Sequence, residues 1–301
     1  MRHGSNDFGP VWYGARALLA GQNPYDVVGP GGAYEWAWPL AYPFPALLAA
    51  VPVAALAEQL AAAVFTACSA GVFAYVLTRP RQGEARWGPL AGLLSASMWG
   101  AVQLAQWSPI LSAAAIVPGL GWLLAAKPTI GAALFLAYPR RSTVVGGLLV
   151  LAVSLLVLPG WPIDWLQNTS TLTHLVAPVT ILPFGPLLLL ALLKWRRPEA
   201  RLLAALACVP TTGTVNDTLP LFLIPATAGE AVALALASHV AQAWIGSDTE
   251  YPSFTIWAAT SAARLVPLVY LPALVLVLRR PNEGSSAELG WPRRAGHDAS
   301  S

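Results

Sequence analysis

Apolar residues run through this chain in long unbroken blocks rather than in stripes. Between Arg86 and Lys127 lie 40 residues without a charge. Other charge-free stretches separate Glu35 from Glu58, Glu58 from Arg79, Arg141 from Asp164 and Asp164 from Lys194. A helix that crosses a bilayer needs about 20 mostly apolar residues, so each stretch has room for one crossing and the longest for two. Transmembrane β-strands would alternate over segments of about 10 residues, and the run from Leu187 to Leu193 does not alternate. The pattern predicts an all-α polytopic transmembrane helical bundle. Spans are expected near residues 43–56, 60–77, 87–104, 109–126, 143–158, 181–193, 202–212, 219–240 and 254–278. Residues 129–138 are apolar but short, a thin further span or a re-entrant segment, which makes about nine or ten spans in all.

The ends differ from this middle. Residues 1–41 are expected to form an extracytoplasmic loop with one short amphipathic helix near 10–20, closed by Gly21-Gln22-Asn23-Pro24 because Gly and Pro favour termination. They lack the basic start and apolar core of a signal peptide. Tyr34, Trp36, Trp38 and Tyr42 then suggest an interfacial belt leading into the transmembrane domain, 42–280. Residues 281–301 are polar and contain Gly and Ser, as a disordered tail would.

Composition narrows the classes. Charged residues make up 10% of the chain, against about 25% in soluble domains. Hydrophobic residues make up 56%, and the mean hydropathy is +0.59. A water-soluble enzyme and a disordered chain are both excluded. The net charge of +3 comes from short basic groups between spans, so membrane lipids rather than nucleic acid are the expected surroundings. Lys194-Trp195-Arg196-Arg197 with Arg201 is the densest basic group and should face the cytoplasm, which puts 159–178 and 211–218 outside. Arg79-Pro80-Arg81 and Arg140-Arg141 also ask to be inside. With the first loop outside, either one early segment does not cross or one basic loop breaks the rule. Cys68 and Cys208 sit in apolar stretches and are expected to be free, buried thiols; no Cys/His metal spacing and no Asp-x-Asp motif occurs.

Polar groups in such a chain are costly and therefore informative. Asp7-Phe8 precedes Trp12-Tyr13-Gly14-Ala15-Arg16, and the helix closes with Gly21-Gln22-Asn23-Pro24-Tyr25. Tyr42-Pro43-Phe44-Pro45 opens the next segment, Ala105-Gln106 stands mid-chain, and a Gly-rich run from Gly119 ends in Lys127-Pro128. Together these resemble the first extracytoplasmic loop, the Tyr-Pro-Pro entry, the Gly-Gln element and the Lys-Pro element of GT-C glycosyltransferases, especially glycosyltransferase family 87. The likeness covers about residues 7–224. Ala105 replaces the family's Gly, and Thr and Asn216 stand near Pro210 where the family has Trp and His. Family members begin with a spanning helix ahead of the first loop, and the chain is expected to lack it.

The resemblance implies a polyprenyl-phosphate sugar as donor, a mannose-like sugar, a lipid or glycan acceptor, inversion in one displacement, and a site outside the bacterial cytoplasmic membrane. An acceptor hydroxyl is a poor nucleophile at neutral pH and needs a general base. A lipid phosphate leaves readily if cations or N–H groups meet its charge, so no cofactor or metal is expected. Asp7 is the candidate base; the plainer reading is a helix cap. Arg16, Lys127 and His174 are candidate contacts to the donor phosphate, against a surface arginine, a lysine that snorkels to the interface and a solvated loop histidine. Asn23, Tyr25, Tyr42, Gln106, Asn216 and Asp217 are candidate substrate contacts. Asp26 and Glu35 are expected to be solvated loop acids. Arg264 either pairs with a lipid phosphate or marks the end of an interfacial helix. The rival classes are a transporter or flippase for a lipid-linked substrate, and an inactive relative or fragment.

Overall fold

A computed structural model describes residues 6–78, 88–172, 175–211, 213–247 and 253–283. His174, the Arg79-Pro80-Arg81 group and the tail from residue 284 lie outside these. The described chain is mostly helical. Its strands are one two-residue parallel pair, β1 (Val28–Gly29) and β2 (Tyr34–Glu35), inside the first loop.

The loop is a folded unit. Helix α1 (Gly9–Leu19) starts with Pro10, whose missing N–H costs nothing in a first turn, and ends at Gly21, where φ is +72°. Helix α2 (Pro24–Val27) is capped by Asn23, whose side-chain oxygen accepts from the Tyr25 amide at 3.2 Å. Helix α3 (Phe44–Ala50) follows Pro43, and α4 (Glu58–Leu77) follows in turn. Downstream come α5 (Ala96–Gln103), α6 (Ser108–Ala114), α7 (Pro128–Ala137), α8 (Arg141–Val157), α9 (Trp161–Ser170), α10 (Pro198–Cys208) and α11 (Ala228–Ser247). Helix α12 (Phe254–Leu265) continues through one wide turn, Val266–Tyr270, into α13 (Leu271–Leu278). Tight 3₁₀ turns make up Gly88–Leu94, Pro118–Ala126, Gly185–Lys194 and Val215–Leu223.

Among the described residues, two helices are long and apolar enough to cross a membrane, Glu58–Leu77 and Phe254–Leu278. Helices α8 and α9 meet the same test together, but bend by 98° at their junction. The other expected spans are broken or short. The 109–126 span is α6 plus a 3₁₀ segment, divided before Pro118; the 202–212 span ends with α10 at Cys208; and the 219–240 span is interrupted between Leu223 and Ala228. Hydropathy registers how apolar a stretch is but not where Pro118, Gly119, Gly121 or Pro220 interrupts its hydrogen bonding.

The outer surface is apolar in a way water would not favour. Helix α8 buries only Thr143 and Ser154, while Val145, Leu148, Leu149 and Leu156 stand 56–83% exposed. Ser154 satisfies itself on the Val150 carbonyl at 2.7 Å. Within the apolar core, small polar residues join helices: the Ser97 and Thr218 hydroxyls meet at 2.8 Å, and the Ser238 hydroxyl accepts from the Ala96 amide at 3.0 Å. Cys68 and Cys208 are free but exposed on helix surfaces, not buried as expected, because an apolar stretch in a bundle with an apolar exterior need not face the core.

The chain has two poles. At one, Arg280 contacts Glu230 at 2.6 Å and the Ile224 carbonyl at 2.8 Å, and Arg201 spends its donors on the carbonyls of Leu136, Ala137, Trp195 and Arg196. At the other lie Asp7, Lys127, Asp217 and Phe254 around one cavity. The 25-residue helix Phe254–Leu278 runs from the second pole to the first, about 37 Å at 1.5 Å per residue.

Candidate active site

The cavity at the second pole has a volume of about 520 Å³. Five of the expected site residues line it: Asp7, Tyr42, Gln106, Lys127 and Asp217. They come from positions as much as 210 residues apart in the chain, and each is placed by a local device.

Asp7 is set by its neighbour. Phe8 is 1% exposed and stacks on Phe65 of α4 at 4.4 Å, with Trp107 tilted 6.5 Å away. The Asp7 amide donates to the Leu104 carbonyl at 2.8 Å. The carboxylate accepts from the Gln106 side-chain amide. Asp7 precedes α1 but caps nothing; the residue at the cap is Phe8, without a side-chain bond, and the Gly9 amide is taken by Asn6 Oδ1 at 2.7 Å.

Gln106 is aimed by the end of α5. The Gln106 amide reaches back to the Ala101 carbonyl at 2.8 Å and the Ala105 amide to Val102 at 3.3 Å, the bonds of a Schellman turn. That turn needs a left-handed residue, and Ala105 takes φ +47°. This is the position where the resemblance expects Gly. Ala105→Gly is therefore expected to stabilise the chain by about 1 kcal/mol, the order of the left-handed penalty for a residue with a Cβ. Thermal unfolding in detergent checks it; an unchanged or lower midpoint would contradict the reading of this turn.

Lys127 sits at the corner between Pro118–Ala126 and α7, with φ −141° and ψ 86°, outside the α region that the following Pro128 disfavours. Gly131, one turn on, leaves no room for a Cβ against the Leu124 carbonyl, so the two segments close tightly around the corner. The ammonium lies 3.3 Å from Asp217 Oδ1 and 3.5 Å from Gln106 Oε1. It points into the cavity rather than out to an interface. Asp217 is 2% exposed and sits in the first turn of Val215–Leu223, a segment buried along its whole length. Gly213 positions it, with φ +69° and no space for a Cβ against the Ala258 carbonyl.

The result is a directional row: Lys127 donates to Gln106, and Gln106 donates to Asp7. Burial pushes the Asp7 carboxyl above the usual carboxylate range; Lys127 and Gln106 pull it down, and Asp217 pushes it up. The carboxylate is thereby a stronger proton acceptor than a solvated one, held in place from two sides.

The remaining candidates are elsewhere. Arg16 is exposed on α1, its guanidinium 4.9 Å over the Trp12 ring and donating to the Ala54 carbonyl at 3.3 Å. Asn23 caps α2 and donates to Asp164 at 3.1 Å. The Tyr25 hydroxyl donates to the Tyr42 carbonyl at 3.1 Å, so it holds Tyr42 from behind; burial raises that phenol and keeps it a donor. Asn216 packs against Gly100 of α5, 2% exposed, outside the cavity lining. Asn216 and its neighbour Asp217 thus point different ways from the same turn, while the first-loop residues Arg16, Asn23 and Tyr25 are engaged in contacts outside the cavity lining. Asp26 and Glu35 are exposed. Arg264 donates to the Trp244 carbonyl at 2.8 Å and lies 5.3 Å over its ring.

Sequence reasoning missed the aromatic wall. Trp36, Trp38, Trp165, Phe254 and Trp257 line the same cavity. Trp165 belongs to α9 and is locked by its indole N–H on the Ala41 carbonyl at 2.8 Å. In sequence the first two suggest an interfacial belt; only the bend at α9 and the position of α12 show that they enclose a space. A held carboxylate and a cation in a largely apolar cavity have the chemistry to hold a polar group with an apolar body. No protein-family model, curated protein or solved structure matches the chain.

Proposed function

We propose that the chain is a polytopic membrane glycosyltransferase with a GT-C-like bundle, which moves a mannose-like sugar from a polyprenyl phosphate to a lipid or glycan acceptor. The observation that carries this reading is the row Lys127–Gln106–Asp7 at one end of a cavity. A hydroxyl of the acceptor bonds to the anomeric carbon as the bond from that carbon to the phosphate oxygen breaks. The phosphate leaves with the electron pair, and the hydroxyl proton passes to Asp7. Lys127 stands where a departing anion needs a cation. Attack from the side opposite the leaving group inverts the centre.

The apolar exterior of α8 and the poles about a helix length apart support a bilayer around the bundle, whose hydrocarbon core is about 30 Å thick. Broken helices are tolerated at that depth where they line a cavity, and the segments around Lys127 and Asp217 do so. We place the cavity outside the cytoplasmic membrane and the Arg201 pole inside. With Cys68 and Cys208 replaced by Ser, a cysteine at position 7 should react with an impermeant maleimide in intact cells, and one at position 195 only after permeabilisation. The opposite pattern would overturn the topology.

The direct test is transfer of radiolabelled mannose from polyprenyl-phosphate mannose by the purified protein. Absence of transfer to any acceptor, water included, would overturn the reading. One observation favours a second reading, a transporter for a lipid-linked substrate: the ion pair Lys127–Asp217 is 3.3 Å long and lies between broken helices, where transporters carry their sites. Movement of the intact lipid across proteoliposomes without sugar release would select it.

A further inference from the structure

Helix α9 has its polarity inverted relative to a soluble fold. Its inward face carries polar groups that bond to the first loop. The Asp164 carboxylate accepts from the Asn23 side-chain amide at 3.1 Å, the Trp165 indole N–H donates to the Ala41 carbonyl at 2.8 Å, and the Asn168 side-chain amide donates to the Leu40 carbonyl at 3.2 Å. With the buried Trp161, these residues follow the i, i+3, i+4, i+7 spacing of one helix face. The opposite face carries Ile163, Leu166, Gln167 and Ser170, all exposed. Ile163 and Leu166 are 64% and 58% exposed. The inward bonds fix the rotation of the helix, so neither side chain can turn toward the core.

The outer face differs in kind from that of α8. From Val144 to Val157 every exposed residue of α8 is Val, Leu or Ala, as hydrocarbon surroundings ask. The chain then bends by 98° into α9, and the exposed face becomes mixed. Gln167 would be costly in hydrocarbon, which offers its amide no partner. Ile163 and Leu166 would leave apolar area in water. The boundary between headgroups and acyl chains meets both demands. The bend sets α9 nearly at a right angle to α8, along such a boundary if α8 crosses the bilayer. The two ends of α8 fit that crossing. It begins a few residues after Leu136 and Ala137, whose carbonyls bond Arg201 at one pole, and it leads into Trp165 and Thr169, which line the cavity at the other.

We propose that α9 is a membrane-surface helix, lying flat at the headgroup–acyl boundary on the cavity side of the bilayer, with Ile163 and Leu166 as its lipid contacts. The partner is the lipid surface itself, continuous with the one that α8 meets. The cavity wall formed by Trp165 and Thr169 then stands at headgroup depth, level with the polar end of a lipid. This rests on the bilayer reading above and holds for a transferase and a transporter alike.

The experiment measures depth. The full chain with Cys68→Ser and Cys208→Ser carries one further change, Ile163→Cys, Leu166→Cys or Leu148→Cys, labelled with an environment-sensitive fluorophore in phosphatidylcholine vesicles. All three positions are exposed, so the label displaces no packed contact. Leu148, midway along α8, is the reference for the hydrocarbon interior. Three quenchers are compared: iodide in the water, a nitroxide near the headgroup end of the acyl chain, and a nitroxide near the methyl end. The labels at 163 and 166 should lose more emission to the shallow nitroxide than to the deep one or to iodide, and the label at 148 should lose most to the deep one. Iodide dominating at 163 and 166 would put α9 in water. The deep nitroxide dominating there would make α9 the bent half of a span. Protection from all three would mean that another protein covers the face. Each of these, with the reference label quenched from the deep position, overturns the proposal and leaves the bilayer reading standing. A reference label reached by iodide and not by the deep nitroxide would overturn the bilayer reading, and this proposal with it.

Discussion

Asp7→Asn is expected to lower sugar transfer by about 10²–10⁴-fold, the usual worth of a positioned general base. The amide keeps the size of the carboxyl and the backbone bond to Leu104, so the fold and donor binding should change little. The pH profile gives the sharper form of this result. The base must be ionised, so the rate should rise with pH through the Asp7 pKa, which burial holds above the ordinary carboxylate range. Lys127 and Gln106 lower that pKa and Asp217 raises it. Lys127→Met should therefore move the rising limb to higher pH, and Asp217→Asn should move it to lower pH. Initial rates at saturating acceptor between about pH 4 and 9, a window that opens at the unperturbed carboxylate value near 4 and extends above it, provide the check. Undiminished transfer by Asp7→Asn would mean that another group accepts the proton, and shifts of the same sign in both variants would contradict the electrostatic account.

The largest expected effect on stability is at the ion pair. Lys127 and Asp217 are 3.3 Å apart, with side-chain exposures of 19% and 3%. Removing one member of a buried pair leaves a charge in low dielectric and typically costs about 3–5 kcal/mol. Lys127→Met should fall toward the lower end, because the cavity still hydrates part of the site. The double variant Lys127→Met/Asp217→Asn should recover much of that loss, with a coupling of about 0.5–3 kcal/mol as for residues in direct contact. Thermal unfolding of the four proteins, followed by tryptophan emission in one detergent, closes the cycle. Additive losses would mean that the pair is not coupled in the folded chain.

Several features were legible in the sequence because they depend on local physics alone. The charge-free stretches indicated helices with an apolar exterior, and α8 carries such a surface. Gly21 and Asn23 marked the end of α1 and the start of α2, since a left-handed turn and an amide-capping side chain are local requirements. Asp7, Tyr42, Gln106, Lys127 and Asp217 stood out because a polar group in apolar surroundings needs a reason to be there, and all five line one cavity.

The rest was decided by tertiary structure. Hydropathy predicted continuous spans where Pro118 and the stretch between Leu223 and Ala228 break them, because an apolar residue contributes the same hydropathy whether its backbone is bonded or turned. Arg16 and Asn216 were as eligible as Lys127 by composition, but helix rotation sent Arg16 onto Trp12 and Asn216 onto α5. The aromatic wall could not be read locally, since Trp38 and Phe254 meet only when the first loop folds over the start of α12. The sequence by itself determined which groups would be costly to bury; the packing of distant segments determined which of those costs are offset by one another, because an ion pair or a shared cavity exists only between residues that the fold brings within a few ångströms.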